Sequence, residues 1–375
     1  MRRQQNPRRF ASEATYPIGV FIKNDLELNT RLSIDATQRL FNNRPDRPFV
    51  LDTAIKTFNA DTNVVDQYSV ASTVCAQVQH GLMATVASSA SSTIAAYDST
   101  ASRLQIPFVD MHLPTKLATK NNRMSKFSVS IRPPNHKLIA EWMVFNNWTT
   151  VIFMQDGVDA AYNLQNVYDH LDRITPIDVI YRTEVVLIPE DAMEFAEFLS
   201  DFHRIRYNVT SFRQRLYHII VQISNRERQR KFLSAFESVS LQTPQRFHYV
   251  FADFGVTPSD LAIMRERFLN LTAFDIVHRR SSFFDEFADE LNDLVRRVLH
   301  GSPDLTDLVQ FGVENGNVHG DGEQHVVGDP EVTVGAALLH DAVITIATAI
   351  HNFQQRTGTS FAEQALRAGR TRQAT

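Results

Sequence analysis

One cysteine, Cys75, stands in a chain of 375 residues, which excludes an internal disulfide framework and any metal site built from several thiolates. Glycine is scarce as well: 13 of 375 residues is roughly half the usual ~7%, leaving few positions for a glycine-lined phosphate cradle. No Gly-x-x-x-x-Gly-Lys, Gly-x-Gly-x-x-Gly, Gly-x-Ser-x-Gly or His-Glu-x-x-His pattern occurs, so the signatures of phosphate, dinucleotide, acyl-transfer and zinc chemistry are missing. Charge of one sign is missing too. Lys plus Arg is 38 and Asp plus Glu is 42, a formal balance of -4 that suits neither a general nucleic-acid binder nor an anionic-membrane binder. The start carries Arg2, Arg3, Arg8 and Arg9, yet no apolar run follows as a secretory leader requires. No uncharged apolar stretch approaches the ~20 residues that cross a bilayer. The expectations are no enzyme activity, no nucleic-acid partner, no cofactor, no metal and no membrane span within this chain.

What is present is a globular mixture, 43% hydrophobic and 21% charged. From Tyr16 onward short apolar runs alternate with longer amphipathic stretches, the pattern of an α/β protein. Strands are predicted at 16–22, 49–58, 82–86 and 106–111, separated by helices at 28–41, 64–80 and 91–104, with Gly81 closing the second helix. Residues 113–123 are polar and basic without periodicity, read either as a crossover between halves or as a surface loop. The alternation then resumes with strands at 127–131, 149–154, 178–186, 217–223 and 247–251 and helices at 135–146, 158–171, 189–206 and 225–239. A capped segment at Thr257–Asp260, a strand at 272–277 and helices at 283–300 and 334–353 complete it. Both halves read as doubly wound α/β.

The most chemically suggestive stretch is Ser88-Ser89-Ala90-Ser91-Ser92, where a strand gives way to a helix. Exposed helix N–H groups beside hydroxyls suit a carboxylate or another anion, and in doubly wound sheets ligands sit outside the carboxyl ends of the strands. Ser89, Ser91 and Ser92 are therefore ligand-binding candidates, set against the plainer reading that Ser91 only caps its helix. The acidic residues Asp285, Glu286, Asp289 and Glu290 read as a wetted helix face, and the spacing in His319–His325 matches no calcium or zinc site. Asn147, Asn208 and Asn270 each open an Asn-x-Thr acceptor for glycosylation in an exported chain.

Five segments in order resemble the amino-terminal domain of ionotropic glutamate receptors of the AMPA and kainate types. They are Thr73–Gly81 with its cysteine, Ser91–Pro107, His136–Phe153 with Trp148, Phe247–Gly255 and Gly335–Val343. The resemblance implies a type I periplasmic-binding-protein-like clamshell of two Rossmann-like lobes. By it, residues 1–13 are a disordered basic tail and 14–120 the first part of lobe one. Lobe two is 121–251, the return into lobe one is 252–358 with a flexible loop over 301–330, and 359–375 is a tail.

The resemblance further implies a non-enzymatic role on the extracellular, postsynaptic side of the plasma membrane. There the domain directs subunit assembly, pairing through lobe one with sibling glutamate receptor subunits as a homodimer or heterodimer. Tyr68, Val74, Val78, Ile94 and Tyr97 match the pairing face by position, or else pack only on their own sheet. Cys75 matches a cysteine whose disulfide partner follows the last lobe-one helix, so the bridge is expected only in a longer form of the chain. Ala87-Ser88 stands where the family has Gly-Pro, which weakens the expectation of an amino-acid ligand. The chain is expected to be a fragment without its channel. The alternative is a ligand-binding clamshell of another class: a class C G-protein-coupled receptor, a natriuretic-peptide-type receptor or a solute-binding protein.

Overall fold

The computed structural model describes residues 15–23, 28–58, 67–79, 81–88, 91–111, 126–156, 158–208, 216–223, 226–239, 246–257, 260–261, 270–299 and 332–358. The predicted tails at 1–13 and 359–375 and the loop over 301–330 lie outside them. The chain divides into two units, one formed by Met1–His112, Met124–Arg132 and Arg279–Thr375, the other by Leu113–Arg123 and Pro133–His278.

The first unit begins with β1 (Thr15–Lys23), α1 (Leu28–Asn43), β2 (Val50–Phe58) and α2 (Gln67–Gln79). It continues through β3 (Ala84–Ser88), α3 (Ser91–Leu104), β4 (Phe108–Asp110) and β5 (Ser128–Ser130). All pairings are parallel in the order β2-β1-β3-β4-β5. Parallel strands buried on both faces need near-continuous apolar runs, and β1 supplies one in Tyr16, Ile18, Val20 and Phe21, all fully buried. Val70, Val74, Tyr97 and Ala101 from α2 and α3 meet Phe21, Ala87 and Phe108 of the sheet in one core. Gly81, at φ 91, takes the left-handed conformation that ends α2.

The return segment adds α8 (Ser282–Leu299) and α9 (Val334–Thr357), both packed on α1. Thr333 caps α9 by accepting from the Ala336 N–H at 3.1 Å. Ala337, Leu338, Val343, Ala347 and Ile350 are buried as the periodicity requires. By length and composition α9 is apolar enough to cross a membrane, although Asp341 interrupts its apolar run, so it is not an uncharged stretch. More than half of its most apolar window is buried within the chain, as in the core helix of a globular unit.

The second unit comprises α4 (Asn135–Phe145), β6 (Thr150–Gln155), α5 (Val158–Ile174) and β7 (Arg182–Leu187), followed by a 3-10 turn at Ala192–Glu194. Then come α6 (Phe195–Asn208), β8 (Tyr217–Gln222), α7 (Arg226–Ser238), β9 (Phe247–Phe251) and β10 (Asn270–Ala273). Its parallel order is β10-β9-β8-β6-β7. One face packs Phe195, Leu199, Phe232 and Phe236 of α6 and α7 against Met154, Val221 and Tyr249. The other packs Ile139, Met143, Val167 and Leu171 of α4 and α5 against Phe153, Ile220 and Val250.

Two strands belong to the opposite sheet from the one expected. The strand predicted to open the second half pairs instead with β4, as Phe108↔Ser128 and Asp110↔Ser130, and forms the polar edge of the first sheet. The strand predicted at 272–277 for the return half runs over Asn270–Ala273 and pairs with β9. The division between units falls at His278 and Arg279 on the way back, not at residue 252. Both strands are short and weakly apolar, so alternation placed them in order along the chain but could not tell which neighbour would bond them.

Candidate functional site

In the first unit α3 starts with Ser91, downstream of Ser88 at the carboxyl end of β3. Ser89 lies outside the described residues, and so do the side chains of Ser91 and Ser92. Asp110, at the carboxyl end of the neighbouring β4, is buried.

The predicted pairing residues separate into two groups. Tyr68 on α2 is 78% exposed. Val74 and Tyr97, however, are each only 1% exposed, so they are core residues and not part of an outer face. Their burial follows from geometry: Val70 and Val74 share one side of α2, and Tyr97 stacks on Phe108 and lies 4.8 Å from Phe21. Burial also drives the Tyr97 hydroxyl well above the ordinary tyrosine range. Val78 is half-buried against the same core, and the Ile94 side chain lies outside the described residues. Cys75 is an exposed free thiol. Asn147 and Asn270 are exposed, Asn147 in a left-handed turn at φ 56, while the Asn208 side chain at the end of α6 lies outside the described residues.

A polar group in the second unit sits at the carboxyl ends of β6, β8 and β9, the place where doubly wound sheets receive ligands. Asn163 of α5 donates to Gln222 Oε1 at 2.9 Å. Asp253 Oδ2 accepts from the Ile223 N–H at 2.7 Å. Arg228 Nε stands 3.2 Å from Asp156 Oδ2, its guanidinium lies over the Phe195 ring at 5.1 Å, and it donates to the carbonyls of Pro189 and Glu190. Two buried amide atoms here, Gln155 Oε1 and Gln229 Nε2, find no hydrogen-bond partner among the described residues. Such atoms in a native fold are costly unless something satisfies them. Amides and an ion pair can hold a small polar ligand by hydrogen bonds.

Sequence reading missed this cluster, although three strands ending in Gln155-Asp156, Gln222 and Phe251-Ala-Asp253 were its signal. Asp253→Ala should cost about 1–3 kcal/mol by leaving the buried Ile223 N–H without its acceptor. Urea unfolding followed by tryptophan emission measures it.

Residues 34–374 match the family described as the receptor family ligand binding region. Over 240 residues the chain is 26% identical to glutamate receptor 2 of Caenorhabditis elegans, covering 60% of this chain and 24% of that one. Over 232 residues it is 17% identical to a glutamate receptor of Lymnaea stagnalis, covering 62% of this chain and 24% of the other. The chain thus spans about a quarter of the length of the curated relatives it matches.

Proposed function

The chain belongs to the receptor family ligand binding region, and from that premise we propose that it is the extracellular amino-terminal domain of a glutamate-gated channel subunit, working chiefly in subunit pairing. The similarity to two glutamate receptors supports the receptor class. The observation that carries the pairing role is a row of exposed apolar side chains beside the open edge of the second sheet. β7 is the terminal strand, and Ile174, Ile177, Ile180, Val185 and Leu187 are all exposed around it. An exposed apolar strip along a sheet edge invites association unless a partner covers it. A second copy related by a two-fold axis presents the same edge and meets that need isologously. Tyr68 and Val78 of α2 remain candidates for a further contact on the first unit, joined by Ile94.

Sedimentation of the full chain at tens of micromolar should show a dimer, and Ile180→Asp with Leu187→Asp should turn it into a monomer. A wild-type monomer, or a dimer indifferent to these changes and to Tyr68→Asp, would sink the reading. Sibling subunits as partners, attachment to the extracellular face of a membrane and glycans at Asn147, Asn208 or Asn270 follow from the same proposal.

The unpaired amides Gln155 and Gln229 favour a second reading, an amino-acid ligand held at the carboxyl-end cluster. A rise in melting temperature with free amino acids that vanishes in Gln155→Leu would establish it.

A further inference from the structure

We propose that the groove between α6 and β7 of the second unit docks a basic, apolar-punctuated peptide segment of a partner protein. The groove has a volume of about 500 Å3, with Val186, Phe198, Phe202 and Ile205 as its apolar floor. Glu184, Glu194, Glu197 and Asp201 line it as well. On the helix side both sets recur at steps of three and four, so the carboxylates form a stripe alongside the aromatic one. From Glu197 to Ile205 the helix rises about 12 Å, the reach of roughly four extended residues.

The rim keeps negative charge to spare. Arg206 is the one basic residue among the described lining residues; it pairs with Glu184 and lies 5.1 Å from the Phe202 ring. Arg204 approaches Asp201 at 2.7 Å from outside the lining. Glu194 and Glu197 form no ion pair among the described residues. Among the described residues, an apolar floor left partly open beside carboxylates without ion-pair partners selects an occupant that carries both apolar and cationic groups. A second copy of this chain would bring the same acidic rim and be repelled, and an anionic lipid surface would be repelled likewise. The groove is also separate from the pairing edge: Glu184 and Val186 face α6, whereas Val185 and Leu187 alternate to the other face of β7. Both surfaces can therefore be occupied at once.

The test uses fluorescence anisotropy with the full chain and three labelled ten-residue peptides: lysine alternating with leucine, lysine alternating with serine, and glutamate alternating with leucine. The lysine–leucine peptide should bind at least ten-fold more tightly than either other peptide and weaken as salt rises. Glu194→Lys with Glu197→Lys should weaken it at least ten-fold while leaving circular dichroism and dimerisation unchanged; Ile205→Ser, which keeps the charge, should weaken it through the floor. Equal binding by the lysine–serine peptide would reduce the effect to charge alone and overturn the proposal. So would unchanged binding by both variants. Displacement of the peptide by phenethylammonium at equal concentration would assign the groove to a small organic cation instead.

Discussion

Replacing Gly19 with valine should destabilise the first unit by about 3 kcal/mol or more, at the upper end of what overpacking costs. Gly19 sits in β1, between β2 and β3, where nothing can move outward. A Cβ added there would lie 2.5 Å from Gln77 Oε1, 2.9 Å from Leu82 Cδ1 and 3.3 Å from Phe21 Cε2. Gln77 is buried and donates from Nε2 to the Ala54 carbonyl at 3.4 Å, so withdrawing it would also break that bond. Valine adds that Cβ and two methyl groups beyond it to a site with no room for the Cβ alone. The chain's two tryptophans, Trp142 and Trp148, both belong to the second unit. Tryptophan emission therefore reports the second unit, while far-ultraviolet circular dichroism reports both. In urea, the circular dichroism of the variant should lose amplitude well before its tryptophan emission changes. Unfolding that coincides with wild type in both signals would show that the α2 side chains yield more readily than their burial indicates.

The fold was largely legible because its signals are local and strong. α3 occupies Ser91–Leu104 as the serine start and apolar spacing predict. β9 likewise runs over Phe247–Phe251, a run apolar enough to be buried on both faces. α6 starts later than predicted because Asp191 accepts from the Met193 N–H and caps a 3-10 turn first. What the sequence could not announce were relations between distant residues. The sheet to which β5 and β10 belong depends on pairings that three-residue and four-residue strands do not encode. Val74 and Tyr97 were candidates for an outer face because helical position was known but the inward side was not. The polar ends of β6, β8 and β9 come together only through the sheet order, and no consecutive run of residues contains them. The exposed apolar edge at β7 escaped notice for the same reason: alternating apolar residues read as core until no neighbouring strand arrives on one side.

Acid should loosen the second unit through His203. This ring is buried among Phe202, Phe247 and Tyr249, and its Nε2 shares a 2.7 Å hydrogen bond with the Tyr249 hydroxyl, itself pushed upward by full burial. Burial lowers the His203 pKa to about 4, against an unfolded value of 6.5. The folded state holds the ring neutral, so the unfolded chain binds the proton first as pH falls. Stability is complete above about pH 6.5 and is lost progressively toward pH 4, by about 2–3 kcal/mol from this residue. His136 of α4, lowered to about 4 first by burial and then by His170, pulls the same unit in the same direction. Urea midpoints read by tryptophan emission between pH 7 and pH 4 measure the loss. His203→Leu should cost stability at pH 7, where the Tyr249 hydrogen bond disappears, and should flatten the profile below pH 6.5, so that the two curves converge in acid. A variant whose profile stays as steep as wild type would show that the proton enters elsewhere. His340 of α9, half-buried against Phe287 and hydrogen-bonded to Thr37, is lowered to about 4 as well, but its loss belongs to the first unit and should register in circular dichroism. The two units can thus be titrated apart in one chain, because each keeps its own imidazoles while only one holds the tryptophans.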